Sequence, residues 1–462
     1  MTLAEGAVRR TVEQTLNVGT TVLIFVLATN AQFALTFINS TPAYELAAVL
    51  VLGRVALLAP RRAGLRDQLG RSRAVLAAVA LFGGYGLLRV FGGSVGSFAS
   101  NPSSIPELWV KDMLVVAAVL LGATSIRRIR DMSWLMVLSL FVLAGPALVQ
   151  HLTGTYSVDW FGLARNESGF IDGVERVQVG GPLGSANPLA QWLLTALPIA
   201  LHFAVAGATG GRRLVASGAS LLAVSGVIAT QSRQGLLVLI ALGFLWTILY
   251  AKPQRKSLLR VGGAIAALVL VVVAVNPTRW ARQVERLGEV AALVGADIDP
   301  ESSAAGYAGT FWAGYDMFVD HPLLGVGHGN FTERYPAYVL ERGIDGSGKA
   351  RAAHNGVIHL LAETGFIGAA LFGAALSLVV FSLFRARSRL RAYELQGDAQ
   401  LATALVVSLG AWVSSSMFQG LFHTEQLAVV LGLAMGLVFA ANGLEPSRAV
   451  GDRVLVGYSS EA

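Results

Sequence analysis

Apolar stretches of about twenty residues, the length needed to cross a hydrocarbon core of roughly 30 Å, recur along the chain between short polar connections. The pattern predicts about twelve membrane helices, near 16–38, 43–59, 74–91, 109–125, 134–152, 188–206, 214–230, 235–250, 258–275, 356–383, 399–418 and 425–441. The first is too long for a signal-peptide core and runs on into more membrane, so it is read as retained. The fold class that follows is an all-α polytopic membrane protein. Its expected divisions are five helices over 1–152, an external loop 153–187, four helices over 188–276, a large external loop 277–355, three helices over 356–442 and a tail 443–462.

Composition agrees. Of 462 residues, 54% are hydrophobic and 14% charged, where a soluble protein carries about 25%. Mean hydropathy is +0.61, leaving too little polar surface to cover a water-soluble body. Lys and Arg exceed Asp and Glu by seven, and the position of the excess matters more than its sign. Arg9 and Arg10, Arg61 to Arg73, Arg127 to Arg130, Arg212 and Arg213, Lys252 to Arg260, Arg385 to Arg391 and the tail arginines all fall on one side of a twelve-span topology. Connections 92–108 and 419–424 have none. By the positive-inside rule the basic side is cytoplasmic, and both termini with it. Cysteine is absent, which removes disulfides, thiolate metal sites and cysteine nucleophiles from consideration. A nucleic-acid partner is not expected.

The long outer loop is patterned. Trp280, Val284, Leu287, Ala291 and Val294 recur at helical spacing among charged neighbours and predict an amphipathic helix. Tyr307, Phe311, Trp312, Tyr315 and Phe318 form an aromatic stripe, readable as an interfacial belt, as the loop's core or as a sugar-stacking platform.

A transporter would place polar groups and broken helices at mid-bilayer. Here mid-span positions are mainly Ala, Leu, Val and Gly, and the unusual residues gather at the outer ends of spans. Arg176 precedes the sixth span, Arg233 lies in a short outer turn between the seventh and eighth, and His354 stands where the long loop enters the tenth. Each has a plain reading: a helix-end arginine can snorkel to head groups, and a histidine at a helix start can be a satisfied structural group. Arg233 is the odder of the two arginines, because its turn is short and runs against the charge rule.

Two stretches, HPLLGVGHGNF (321–331) and AHNGVIHLLAETGFIG (353–368), resemble the signature of the O-antigen ligase and O-antigen polymerase superfamily, in which a His-Asn pair opens a helix ahead of a Glu-x-Gly-x-x-Gly run. TQSRQG (230–235) is similar to that family's Ser-Arg-Gly motif, with Gln234 where a small residue often follows the arginine. RVQVGGPLGSANPLA (176–190) is similar to its Arg, Gly, Asn-Pro segment. The four blocks and the hydropathy pattern extend the resemblance over most of 150–440. The first 130 residues match only as a helix count.

The resemblance implies a lipid-linked polysaccharide ligase-like membrane glycosyltransferase of GT-C-like architecture in a bacterial inner membrane, its active site on the external face. The donor is a glycan on a polyprenyl pyrophosphate, the acceptor a hydroxyl on glycan, lipid or protein, and no cofactor or metal is called for. Pyrophosphate is already a good leaving group, so the site must hold it and offset charge as the anomeric bond breaks. Planar, always-charged guanidinium does this well, which assigns Arg176 and Arg233 to the pyrophosphate, with Arg351 assisting. Neutral imidazole accepts a proton near physiological pH, which makes His354 the base that deprotonates the acceptor; attack opposite the leaving group inverts the anomeric carbon. Asn355 orients that base or caps its helix, and Asn187 supports.

Two other features are set aside. Asp297 and Asp299 form an Asp-x-Asp, but in an outer loop where nucleotide sugars are not expected. Glu363 lies nine residues after His354, about 13.5 Å along a straight helix and on its opposite face, so a polar contact with a neighbouring helix is expected instead. Ligase, repeat-unit polymerase and protein O-oligosaccharyltransferase share the donor side. A ligase acting on lipid A–core is slightly preferred, and a lipid-linked oligosaccharide flippase is the reading from another class.

Overall fold

The computed structural model describes residues 3–30, 43–58, 72–91, 104–123, 125–171, 174–250, 263, 274, 303–343, 350–420 and 424–444. Five helices come first: α1 (Leu3–Ala28), α2 (Ala43–Leu58), α3 (Arg73–Phe91), α4 (Ser104–Gly122) and α5 (Ile126–Thr153). An antiparallel hairpin of β1 (Arg165–Ile171) and β2 (Val174–Gly181) follows, then α6 (Ala186–His202), which ends in a π-turn at Phe203–Gly207, α7 (Gly210–Ala229) and α8 (Arg233–Tyr250). Helices α9 (Ser303–Asp320) and α10 (Phe331–Arg342) lead to α11 (Gly356–Ala392), α12 (Gln396–Ser416) and α13 (Glu425–Asn442).

The chain is predominantly helical, and among the described residues seven helices (α1, α5, α6 with its π-turn, α7, α11, α12 and α13) are long and apolar enough to cross a bilayer. Helices also stand at the places expected for the other spans, apart from 258–275. That ninth span, the amphipathic pattern at 280–294 and the Asp297-x-Asp299 pair lie outside the described residues, save for helical positions 263 and 274. Two local expectations change. The connection 153–187 holds a β-hairpin where only loop was expected, and α1 and α5 begin well before their apolar runs do. For α5 the early start has a local cause: Ser125 Oγ accepts from Arg128 N at 3.2 Å, capping the helix among its basic residues.

Helix α6 is the axis of the bundle. Trp192, Leu193, Leu194, Ala196, Ile199 and Ala200 are fully buried, packed among α5, α7 and α12. Polar groups at this depth need partners, because lipid offers none. Gln191 Nε2 donates to Trp412 O at 3.2 Å and to Ser416 Oγ at 3.0 Å, while Gln191 Oε1 accepts from Gln419. Gln426 Nε2 donates to Trp192 O at 2.9 Å. Neutral amides thus join the start of α6, the end of α12 and the start of α13, each interhelical bond contributing about 0.6 kcal/mol.

A second, smaller core lies apart from the main one. It contains Ala313 and Met317 of α9, Val326, Phe331, Tyr335 and Val339 of α10 and its approach, and Ala353 and Ala362 on either side of the α11 start.

Candidate functional site

Helix α11 is not continuous. Gly365 has φ 62° and ψ −167°, a conformation open in practice only to glycine. An uninterrupted helix would bond Phe366 N to Ala362 O and Ile367 N to Glu363 O. Instead Val326 N donates to Ala362 O at 2.8 Å and Gly327 N to Glu363 O at 3.1 Å. Phe366 N donates to Pro322 O at 2.8 Å, and Ile367 N to Leu323 O at 3.2 Å. Residues 322–327 are therefore laid through the break, and four bonds to this crossing segment replace two within the helix. The approach is close enough that a Cβ on Gly325 would sit 2.4 Å from the Glu363 carbonyl carbon, and one on Gly365 2.4 Å from that of Leu323. The glycine-rich run 325–329 is needed for this path: Gly325, Gly327 and Gly329 all have positive φ.

Glu363 is buried at the break. Its Oε2 accepts from His328 Nδ1 at 2.6 Å, and its Oε1 from His359 Nε2 at 3.1 Å and Phe331 N at 3.3 Å. Arg89 Nη2, from α3, meets His328 Nε2. Guanidinium can only donate, so His328 Nε2 accepts and the ring proton sits on Nδ1, toward Glu363. Burial holds the His328 pKa below the ordinary value of 6.5, against the opposing pull of Glu363. A cavity of about 50 Å³ opens beside this chain, lined by Tyr85, Arg89, Asp112, His359 and Thr424 with Phe82, Phe372 and Leu427.

His354 stands at the other end of the short half-helix. Asn355 Oδ1 accepts from Val357 N and Ile358 N, both at 3.0 Å. Its side chain is the helix cap, as one of its two expected roles required. His354 is half-buried, and burial, then the Arg351 guanidinium, lowers its pKa below 6.5, with Glu167 pulling the other way. The environment thus favours neutral imidazole. Glu167 belongs to β1 and accepts from Ser185 Oγ at 2.8 Å and Ala186 N at 3.2 Å, at the start of α6.

The hairpin also reaches the turn that carries Arg233. Gln178 Nε2 donates to Thr230 O at 3.0 Å and Gln231 O at 3.3 Å. Ser232 Oγ donates to Asn187 Oδ1 at 2.7 Å and accepts from Gly235 N at 3.1 Å, so Asn187 ties α6 to this turn. Gln234 is buried, its Nε2 donating to Asn187 O at 3.3 Å; the larger residue is accommodated by bridging to α6. Arg233 opens α8, half-buried. Arg176 lies on β2, paired in register with Gly169 of β1. Hairpin, α6 start and 230–235 turn thus form one bonded assembly, and its Glu167 acts electrostatically on His354.

On α9 the aromatic stripe splits. Phe311, Trp312 and Tyr315 are exposed while Ala313 and Met317 are buried, so these rings face outward, away from the loop's core. Arg342 lies 4.7 Å over the Trp312 ring and pairs with Asp316.

Sequence spacing offered one clue to the Glu363 cluster, the i, i+4 step from His359, and none to Arg89 or His328. The polar contact expected for Glu363 with a neighbouring helix is made with Phe331 N, the first residue of α10, and is joined by contacts to its own half-helix and the crossing segment.

No curated protein matches the chain. Residues 218–373, about a third of the chain, match the family model described as O-antigen ligase; the matched stretch includes Arg233, the crossing segment, His354 and Glu363.

Proposed function

We propose that the protein is an inverting glycosyltransferase that moves a glycan from a polyprenyl-pyrophosphate donor to an acceptor hydroxyl at the outer face of a bacterial inner membrane. The observation that carries this reading is His354, half-buried and biased to its neutral form beside Arg351, facing Glu167 of a hairpin that is bonded to the turn of Arg233. The acceptor O–H gives its proton to the His354 imidazole as its oxygen bonds to the anomeric carbon. The bond from that carbon to the phosphate oxygen breaks, and the electron pair leaves with the pyrophosphate. Arg233, with Arg176 and Arg351, offsets that charge by planar, charge-assisted contacts. Polar groups poised where charge develops are the largest source of rate in such transfers.

The preferred acceptor is lipid A–core sugar, as for an O-antigen ligase. The test incubates purified protein with lipid-linked glycan and, separately, lipid A–core, a second lipid-linked unit and a Ser/Thr peptide. Transfer to lipid A–core supports the ligase reading; transfer only to a second lipid-linked unit makes the protein a polymerase. Movement of intact donor between leaflets of proteoliposomes, without transfer, makes it a flippase and removes the proposal. His354→Ala is expected to lower the transfer rate about 10²–10⁴-fold while donor binding persists. Lost donor affinity with normal turnover at saturating donor would make His354 a binding residue.

A further inference from the structure

Glu363 touches neither His354 nor the hairpin, yet it sits where three pieces of the outer region meet. Its carboxylate takes an N–H from His359 on the half-helix 356–364, from His328 on the crossing segment and from Phe331 at the start of α10. Arg89 extends the chain to α3. Ala353, the residue before His354, is 2% exposed and packs in the small core with Val326, Phe331 and Ala362. Whatever holds the crossing segment and α10 against this half-helix therefore also sets the place of His354. All three bonds to Glu363 are buried and end on a carboxylate, which makes them stronger than neutral ones.

We propose that Glu363 is a positioning residue for the transfer reaction: through His328, His359 and Phe331 it bolts the crossing segment and α10 to the half-helix and so fixes where His354 stands. This rests on His354 being the base. The tautomers make the idea specific. His328 cannot invert its ring protons, because Nε2 must accept from Arg89. In Glu363→Gln the amide oxygen can take the place of Oε1 and accept from His359 Nε2 and Phe331 N, while the NH₂ faces the His328 Nδ1–H and that bond is lost. Two of the three bonds survive without the charge. In Glu363→Ala none does.

The natural chain has no cysteine, so thiols can be placed at will. Leu323 and Ile367 are exposed and joined by a backbone hydrogen bond of 3.2 Å across the break. A short bifunctional methanethiosulfonate joining Leu323→Cys to Ile367→Cys can replace the bolt covalently. Glu363→Ala is expected to lower the transfer rate at saturating donor about 10²-fold, the scale of a displaced catalytic group, with unchanged donor affinity. Cross-linking should restore most of the rate, Glu363→Gln, which keeps two of the three bonds, should lose clearly less than Glu363→Ala, and a thiol at Ala353→Cys should label several-fold faster in the Glu363→Ala background. His328→Leu leaves Glu363 two of its three donors, and carries the same test at a smaller amplitude should the Ala variant fail to accumulate. If Glu363 instead touches substrate or carries a proton, Gln fails as badly as Ala and the cross-link restores nothing; either result overturns the proposal, as does a natural rate and labelling in both Glu363→Ala and His328→Leu. Labelling at 353 needs no donor, so an error in the donor reading shows separately, as a natural protein that is inactive with lipid-linked glycan.

Discussion

Two regions of the bundle hold their elements together, and they do it with different chemistry. Around the start of α6, neutral amides and hydroxyls make the joints: Gln178 to the 230–231 carbonyls, Ser232 to Asn187, Gln191 to α12. Around the break in α11 the joint is a carboxylate with two imidazoles and a guanidinium. The difference fits the work each region is proposed to do. A site that must receive a pyrophosphate gains from a neutral scaffold, since a free carboxylate there would compete for the guanidinium groups. Glu167, a carboxylate of that assembly, is engaged by Ser185 Oγ and Ala186 N. A joint that binds no substrate can use charge to make its own geometry firm.

The largest effect is expected at the break. Gly365→Ala places a Cβ about 2.4 Å from Leu323 backbone atoms in a left-handed conformation, and such strain together with the clash exceeds about 3 kcal/mol. Little folded protein should be recovered in detergent. Gly410→Ala, in α12 where a Cβ meets nothing within 4 Å, should be silent by thermal unfolding. Equal stability of the two variants would mean that the crossing segment does not run through the break.

Next is the neutral region's arginine. Lys keeps the charge of Arg233 and can still snorkel, but it lacks the planar two-point grip on phosphate. Losing one charge-assisted bond, about 1.5–3 kcal/mol, should lower transfer about ten- to hundredfold at matched expression. Arg391→Lys, exposed near the far end of α11, should not change it. Natural activity in Arg233→Lys would leave the proposed clamp without its anchor.

The joints themselves should differ in strength. His328→Leu removes a donor from a buried carboxylate and an acceptor from Arg89, worth about 1.5–3 kcal/mol. Gln191→Leu removes neutral interhelical bonds of about 0.6–1.7 kcal/mol. Unfolding of the purified variants in detergent ranks them, and the reverse order would sink the contrast drawn between the two regions.

Much of this was legible in the chain, and what was not has a physical reason. Apolar runs report on solvent and lipid, which act on every residue locally, so among the described residues helices stand where the pattern put spans; the ninth span, 258–275, lies outside those residues apart from two positions. The His-Asn pair could be read as a helix start because a cap is a local device. The hairpin was hidden because RNESGFI has no apolar alternation; it is held by Gln178 and Glu167 bonding to distant turns. The break at Gly365 was hidden because its hydrogen bonds come from residues forty positions earlier, and Arg89 because nothing in α3 marks His328 as its partner. Straight-helix arithmetic did separate Glu363 from His354, since the break comes two residues after Glu363.

The smallest expected effect is a shift in pH dependence, and it probes the neutral region from within. His354 must be neutral to accept a proton, and its pKa is lowered from 6.5 by burial and by Arg351. Transfer should therefore be flat above pH 6.5 and fall only as pH drops through the lowered value. Arg351→Gln removes a cation that disfavours imidazolium, so the acid limb should move up, toward 6.5. Glu167→Gln removes an anion that favours imidazolium, so the limb should move down, and the amide oxygen can still accept from Ser185 Oγ or Ala186 N. The two shifts have opposite signs although both changes remove a charge from the same assembly, which a general loss of fold would not produce. Rate against pH at saturating donor, in detergent with fixed ionic strength, reads both. Shifts of the same sign, or none, would mean that the limb belongs to a group other than His354.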